Sequence, residues 1–325
     1  MKDCDISIIV PIYNAEKYIE KCVTTLFEQD YNNIEYIFVN DCTIDKSMEI
    51  LENTIEKYSN RKNHVKIINN FINIGSSMTR KNGLDVSSGK YILFIDSDDW
   101  VDEDMVSSLI GEVRKSDADI VCFDYIKEFK QKSVVKSFFY TKNHPKSNLE
   151  FVKAILSHEI SVSMCDKLVK RELYENVKFP HFSHCEDSFV NLQLFYNAKK
   201  ITHIVRPFYH YRTNPNSLSS SFSNNKKALD DFAGFSKSVR KFLVEKDLFD
   251  DYLQSFLPNI LKFVLDYSDK DFKKHINNIC PEANNIKYVF KINRNFVYKI
   301  LYSSVFLGCP QIFVLAKRIF LSFKK

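Results

Sequence analysis

The chain of 325 residues carries 46 Lys and Arg against 41 Asp and Glu, a formal net charge of +5, with 45% hydrophobic and 27% charged residues. These are ordinary values for a globular protein with a substantial core, in one large domain or two smaller ones, and no internal repeat or long low-complexity segment interrupts them. The eight cysteines show no C-x-x-C pair and no zinc spacing, and Met1-Lys2-Asp3 is polar and charged, so reduced thiols in a cytoplasm are expected rather than a secreted disulfide scaffold.

Strands and helices alternate along the first part. Ile6 to Ile12 reads as a strand, Ala15 to Glu28 as a helix, Ile34 to Asn40 as a strand, and Asp45 to Tyr58 as a helix with Asp45 as its N-cap. Val65 to Ile68 is strand-like, Ser76 to Val86 helical, and Tyr91 to Ile95 a further apolar strand; Asp104 to Lys115 and Ile120 to Tyr125 add a helix and a strand. Repeated β-α-β units imply a parallel sheet with right-handed crossovers. After Tyr125 the pattern loosens, as expected of a region that shapes an acceptor site rather than extending the sheet. Glu186 to Lys199 reads as a helix, and from Phe222 the chain is mainly helical.

The strand Tyr91 to Ile95 runs straight into Asp96-Ser97-Asp98-Asp99-Trp100. Asp96 and Asp98 share one face of extended backbone, where like charges repel unless a hard cation such as Mg²⁺ or Mn²⁺ neutralises them. An isolated Asp-x-Asp is more often an acidic loop in which Asp99 or Asp102 caps the next helix. Here two comparable strand ends precede it, Val10-Pro11-Ile12-Tyr13-Asn14 and Val39-Asn40-Asp41, and open α/β sheets gather such loops into one ligand crevice. Asp41 suits a hydrogen bond from a base N–H and equally suits a turn or cap. Asp187 on its own suits a helix N-terminus.

In combination, these segments resemble the inverting glycosyltransferases of family two, with the GT-A fold. Ile8 to Ile19 is similar to that family's N-terminal signature. Asn73-Ile74-Gly75 with Arg80 and Gly83, then Gly89-Lys90-Tyr91 leading to Asp96-Ser97-Asp98-Asp99-Trp100, resembles its central stretch. Glu186-Asp187 with Phe189 resembles its catalytic acid pair, and Tyr209-His210-Tyr211-Arg212 with Asn216-Ser217 the segment that closes its core. The resemblance spans about residues 5 to 220. It implies an α/β GT-A fold with a mostly parallel central sheet, residues 1–221, divided into a nucleotide-sugar half (1–125) and an acceptor-side half (126–221), followed by a mainly helical region, 222–325.

The same resemblance implies the roles. Asp187 is the general base; Pro11, Tyr13, Asn14, Asp41, Arg80, Asp96 and Arg212 bind the donor, with Asp41 on a uracil or other base, Asp96 near the ribose, and Arg80 and Arg212 on the diphosphate. Asp98, with Asp96 and His210, holds Mg²⁺ or Mn²⁺. Asp99, Trp100 and Glu186 lie on the acceptor side, while Tyr209 and Tyr211 pack in the core. The expected activity moves a hexosyl or N-acetylhexosaminyl group from a nucleotide-diphosphate donor, a UDP-sugar, to a glycan or lipid-linked hydroxyl in bacterial surface-polysaccharide synthesis. Three positions depart from the family: Cys42 stands where Asp-Gly-Ser-Thr-Asp has glycine, Lys81 replaces the Asn of an Arg-Asn pair, and Cys165 or Asp166 stands where an aromatic precedes Lys167.

Two other classes are weighed. A sugar-nucleotide pyrophosphorylase needs a Gly-rich basic loop after its first strand, which Pro11-Ile12-Tyr13-Asn14 is not. A noncatalytic binding protein retaining the fold would not hydrolyse donor. Nucleic acid is not an expected partner, because the basic residues lie beside apolar stretches. Lys287, Lys291, Arg294, Lys299, Lys317, Arg318, Lys324 and Lys325 occur with no Asp or Glu after residue 286, and Ile300 to Ala316 is apolar but broken by Gly308-Cys309-Pro310. Residues 287–325 are therefore expected to rest on the membrane surface, as in a peripheral cytoplasmic enzyme, or to pack as a buried helix pair.

Overall fold

A computed structural model describes residues 4–142, 144–213, 226–267, 271–292, 296–307 and 311–312. The chain divides into two compact units, Met1–Ile155 with Glu159–Pro215, and Leu156–His158 with Asn216–Lys325. The Asn216-Ser217 pair, the expected boundary after residue 221, and residues 308–310 and 313–325 of the apolar tail lie outside the described residues.

The first unit is built on a nine-stranded sheet in the order β3-β2-β1-β4-β8-β6-β9-β5, with β7 paired to β6. The strands are β1 (Ile6–Ile12), β2 (Ile34–Asn40), β3 (Val65–Asn69), β4 (Tyr91–Phe94), β5 (Trp100–Val101), β6 (Ile120–Glu128), β7 (Ser133–Lys136), β8 (Lys167–Lys170) and β9 (Ile201–Arg212). The expected β-α-β repeat is a parallel block, in which Ile6 of β1 pairs with Ile34 on one side and Tyr91 on the other, and Tyr36 pairs with Val65. β1, β2 and β4 are almost wholly buried, which is why they read as continuous apolar runs.

Beyond Tyr125, the expectation of a region outside the sheet is overturned. β6 continues to Glu128 and pairs antiparallel with β7, β8 inserts antiparallel between β4 and β6, and β9 runs parallel to β6. The sheet is therefore mixed, parallel in its first half and antiparallel around β8. β8 has only four residues, and β9 is largely half-buried with register shifts opposite Asp124. Neither produces the uninterrupted apolar run that marks a central strand.

The helices of this unit are α1 (Ile19–Phe27), α2 (Ser47–Lys57), α3 (Ser59–Lys62), α4 (Ser76–Asp85), α5 (Met105–Ser116), α6 (Asn148–Leu156) and α7 (Glu186–Asn197). α1 begins four residues later than its apolar pattern suggests. Asn14 takes a left-handed φ of 52°, and the chain turns once, Tyr18 N–H donating to Ala15 O (2.8 Å), before the helix starts. Asp45 is not the cap residue of α2, which is Lys46. Its carboxylate instead accepts from Ser47 N–H (3.1 Å), Glu16 N–H (2.9 Å) and the Thr43 hydroxyl (2.8 Å), tying the loop after β1 to the loop after β2. α4 lies close on the sheet because of Gly83, where an added Cβ would stand 2.4 Å from Ile9 Cγ2 and 3.0 Å from Val39 Cγ2. One turn earlier on that helix is Arg80, which is buried.

The second unit contains α8 (Lys226–Glu245), α9 (Phe249–Tyr267), α10 (Phe272–Ile279), 3-10 turns at Pro281–Ala283 and Ile286–Lys291, and α11 (Phe296–Phe306). Phe232 stacks on Phe263 (3.7 Å between centroids) and Phe235 meets Phe256 edge-on (5.7 Å), joining α8 to α9. α11 buries Tyr302 and Val305, and the Tyr302 hydroxyl donates to Asp266 Oδ1 (2.5 Å). Among the described residues, no helix is long and apolar enough to cross a membrane.

Candidate active site

Because β1, β2 and β4 are parallel neighbours, the loops that follow them leave the same edge of the sheet. Pro11 is the last residue but one of β1, Tyr13 stands exposed, and Asn14 donates its N–H to Thr43 Oγ1 (2.9 Å) in the loop after β2. Asp41 is buried with both oxygens in use: Oδ1 accepts from Asn70 Nδ2 (2.9 Å) and Ile74 N–H (2.9 Å), and Oδ2 from Gly75 N–H (3.0 Å). A carboxylate offers about four acceptor sites, so one remains, on Oδ2. Asp41 thus fixes the turn that opens α4, where Gly75 has a φ of 82°. Cys42 keeps a positive φ (58°) although it is not glycine.

Arg80 reaches from α4 to two acids at once. Nη2 meets Asp96 Oδ1 at 2.7 Å, and Nη1 meets Asp187 Oδ1 at 3.0 Å. Each terminal nitrogen of Arg80, the residue expected at a diphosphate, thus gives one hydrogen bond to a carboxylate, and the guanidinium ties Asp96 to Asp187. Asp187 Oδ2 also accepts Met164 N–H (3.3 Å). Burial raises the Asp187 carboxyl above its usual range, and Arg80 pulls it part of the way back. Glu186 accepts from the Ser76 hydroxyl (3.0 Å), and burial followed by the Asp187 charge pushes it up to about 8. Both acids open α7 directly after Cys185, which has a left-handed φ of 65°. A continuous path therefore runs from Asp41 through the turn at Gly75 and Ser76 to Glu186, with Arg80 bridging Asp96 and Asp187 beside it.

The three acids after β4 have different surroundings. Asp98 is half-buried, and burial, then the charge of Asp96, pushes it up to about 6; Arg212 acts in the opposite sense. Asp99, expected on the acceptor side, is buried. Its oxygens accept the Tyr209 hydroxyl (2.5 Å) and Arg212 N–H (2.7 Å), so it anchors β9 under the loop and presents nothing outward. Tyr209 is more than core packing, since its hydroxyl also accepts Asp96 N–H (3.2 Å). The alternation Tyr209-His210-Tyr211 on a strand carries a signal for this, one phenol facing the sheet interior beneath the acids.

Arg212 donates from Nε to Asp98 O (2.8 Å), and its guanidinium lies over the rings of Trp100 (4.7 Å) and Tyr18 (4.8 Å). Trp100 pairs with His210 across β5 and β9, stacks on its imidazole (5.0 Å), and has the Lys21 ammonium 3.3 Å from a ring centroid. Lys21 gives no sequence signal beyond its place on an amphipathic helix. His210, expected as a metal ligand, has Nδ1 on Glu128 Oε1 (2.8 Å) and Nε2 on Asp102 Oδ1 (3.0 Å). Both ring nitrogens thus lie within hydrogen-bonding distance of carboxylates other than Asp96 and Asp98.

A divalent cation fits Asp98. Among the described residues, its carboxylate has no ion pair or hydrogen bond to another side chain, and a half-buried acid beside a second acid is the environment a hard cation relieves. Among the described residues no three His, Cys, Asp or Glu side chains converge as a ligand set. Asp98, with Asp96 adjoining, would therefore hold the ion only together with oxygens from water and a bound phosphate.

Comparison with known proteins bears on this arrangement. The family described as Glycosyl transferase family 2 matches residues 7–177. The putative glycosyltransferase EpsH of Bacillus subtilis is 29% identical over 255 residues, covering 76% of this chain and 71% of that protein. Among solved structures, S. aureus TarS 1–349 in complex with UDP-GlcNAc superposes with a TM-score of 0.70 at 17% identity, covering 98% of this chain and 92% of the other. The mannosyltransferase PcManGT of Pyrobaculum calidifontis, in complex with GDP-Man and Mn²⁺, does so with a TM-score of 0.56 at 12% identity, covering 98% and 87%. The structural likenesses establish the GT-A-like fold.

Proposed function

The chain belongs to glycosyl transferase family 2, and on that premise we propose that this glycosyltransferase moves a hexosyl or N-acetylhexosaminyl group, with inversion, from a UDP-sugar to a hydroxyl of a glycan or lipid-linked acceptor. The observation that carries the reading is the Asp187 carboxylate held at 3.0 Å from Arg80, which also holds Asp96 at 2.7 Å. A displacement at an anomeric carbon needs a base on one side and charge relief on the other. Asp187 takes the proton of the acceptor hydroxyl, a role that contributes about 10²- to 10⁴-fold. Arg80 keeps that carboxylate ionised and aimed.

On the leaving side, Asp96 and Asp98 would hold Mg²⁺ or Mn²⁺, which would supply charge relief for the departing diphosphate. Arg212, beside Asp98 and stacked on Trp100, takes the diphosphate contact. The free site on Asp41 Oδ2, together with Pro11, Tyr13 and Asn14, receives the base and ribose. Support for a nucleotide-sugar comes from the UDP-GlcNAc and GDP-Man bound to the two fold neighbours. A place in surface-polysaccharide assembly is supported by the family and by the basic tail of residues 287–325, which we place against the cytoplasmic face of the membrane.

The test is a nucleotide-sugar panel read by metal-dependent donor hydrolysis and thermal shift, followed by Asp187→Asn and Asp98→Ala. Asp187→Asn is expected to lose transfer while binding donor near normally, and Asp98→Ala to weaken both. Full transfer by Asp187→Asn would remove the base assignment.

A further inference from the structure

We infer that the buried Lys167 is a positioning residue for Asp187, acting through the single peptide unit between Ser163 and Met164. The inference rests on the reading of Asp187 as the base and adds to it how that carboxylate is held. The two oxygens of Asp187 are held differently. Oδ1 meets the Arg80 guanidinium (3.0 Å), and Oδ2 accepts the Met164 N–H (3.3 Å). The carbonyl on the other side of that same peptide, Ser163 O, accepts the Lys167 ammonium and Asn191 Nδ2 (3.2 Å). A chain of hydrogen bonds therefore runs from a buried positive charge through one amide to the base. Hydrogen bonds in such a chain polarise one another, so an ammonium on the carbonyl makes the N–H opposite a stronger donor to a carboxylate.

Both ends of the chain are fixed. Lys167, the first residue of β8, is 1% exposed, with its ammonium 2.5 Å from Asp166 Oδ1 and beside the rings of Phe138 and Phe195 (5.6 and 6.0 Å). Asn191 stands one turn after Asp187 on α7, is buried, and also donates to Val162 O (2.6 Å). The helix that carries the base thus grips the segment that supplies its N–H. Stability alone accounts poorly for a lysine between two phenyl rings, because replacing a buried ion pair by apolar side chains of like volume is often neutral or stabilising. The other charges that bear on Asp187 are Arg80 from α4, Asp96 from the loop after β4 and Glu186 beside it, while burial keeps Cys165 and Tyr174 uncharged. Arg80 and Lys167 both draw the Asp187 carboxyl down against its burial.

The experiment follows the Asp187 carboxyl itself, by NMR of the full chain carrying isotope-labelled aspartate, with the signal identified by its loss in Asp187→Asn. Beside it runs the pH profile of hydrolysis of the UDP-sugar cleaved fastest in the nucleotide-sugar panel. Lys167→Met is expected to raise the Asp187 midpoint by about half to one pH unit, and hydrolysis below that midpoint to fall about three- to tenfold. KM for the UDP-sugar should stay unchanged, because Lys167, Asp166 and Asn191 are not placed at the donor. Asp166→Asn/Lys167→Met removes both charges of the buried pair and should give the same upward shift if the single variant does not fold. Lys170→Met, at the far end of the same strand and paired with Glu172 (2.7 Å), is the control that should move nothing. An Asp187 midpoint that stays or falls in both Lys167 variants, with circular dichroism unchanged, would overturn the inference and leave Lys167 as packing. Full transfer by Asp187→Asn would instead remove the base reading, a failure the titration of Asp187 keeps separate from that of the Lys167 contact.

Discussion

Replacing Arg80 is the sharpest test of the site. Its side chain is 6% exposed, and its partners Asp96 and Asp187 are 31% and 26% exposed. Removing one member of a buried pair typically costs about 3–5 kcal/mol, and the partial exposure of both acids discounts this to about 2–3 kcal/mol for Arg80→Met at pH near 8. The deficit must vary with pH. Asp187 already has a folded pKa above its ordinary value, and loss of Arg80, which lowers it, raises it further. A raised carboxyl contributes stability that is present below the unfolded pKa and is lost as pH rises through the folded one. The gap between wild type and Arg80→Met should therefore be widest near neutrality and above, and shrink as pH falls to about 4.

Denaturant unfolding from about pH 4 to 8 measures that gap. The same change should move the acid limb of kcat/KM upward by about one pH unit or more. Arg80→Lys keeps the charge but not the fork; it should recover part of the stability and little of the rate. A variant with a pH-independent stability deficit and an unmoved acid limb would refute the electrostatic role and leave Arg80 as packing.

Four further outcomes are expected. Mn²⁺ with UDP should raise the melting temperature more at about pH 7.5 than at about pH 5, since protons and the cation compete for Asp98, pushed up to about 6; equal shifts at both would argue against Asp98 as a ligand. Glu186 holds its proton to about 8, so Glu186→Gln should be near neutral in stability below about pH 5 and stabilising by about 1–2 kcal/mol above about pH 8, after discounting for partial exposure. Cys42→Gly should relieve the left-handed backbone, which costs a side-chain-bearing residue about 1–2 kcal/mol, partly offset by about 0.5–1 kcal/mol of glycine entropy. A melting temperature higher by about 1–3 °C would be the sign of it. His210→Gln should weaken the stacking of Trp100 and lower stability without changing metal affinity in calorimetry; a large loss of affinity would restore His210 as a ligand.

The parallel half of the sheet was legible because β1, β2 and β4 are covered on both faces, and full burial writes itself into sequence as unbroken apolar runs. The gathering of Asp41, Asp96, Asp98 and Asp187 at one edge follows from strand ends and a recognisable order of motifs. What each acid touches does not. Asp99 and Asp98 are neighbours in sequence, yet one lies under Tyr209 and the other beside Arg212, a difference set by the side of the loop on which β9 passes. Arg80 reads as a basic residue awaiting a phosphate, and only the position of α7 shows that it also bridges two acids. β8 and β9 escaped because a four-residue strand and a half-exposed one carry little periodicity.

The place of β8 bears on how the enzyme can be divided. A nucleotide-binding half ending near residue 125 suggests a detachable module, but the hydrogen-bonding edge of β4 is covered by Val169 and Lys170 of β8, which also zips against Ile120 and Val121. A ribosome that has released only the first half leaves that edge bare, directly under the acidic loop, as a template for unwanted pairing. Truncated fragments of 1–125 should accumulate as aggregates, whereas fragments extended through β9 should be recoverable. Any split or circularly permuted version intended as a nucleotide-sugar sensor would need its break outside residues 91–170.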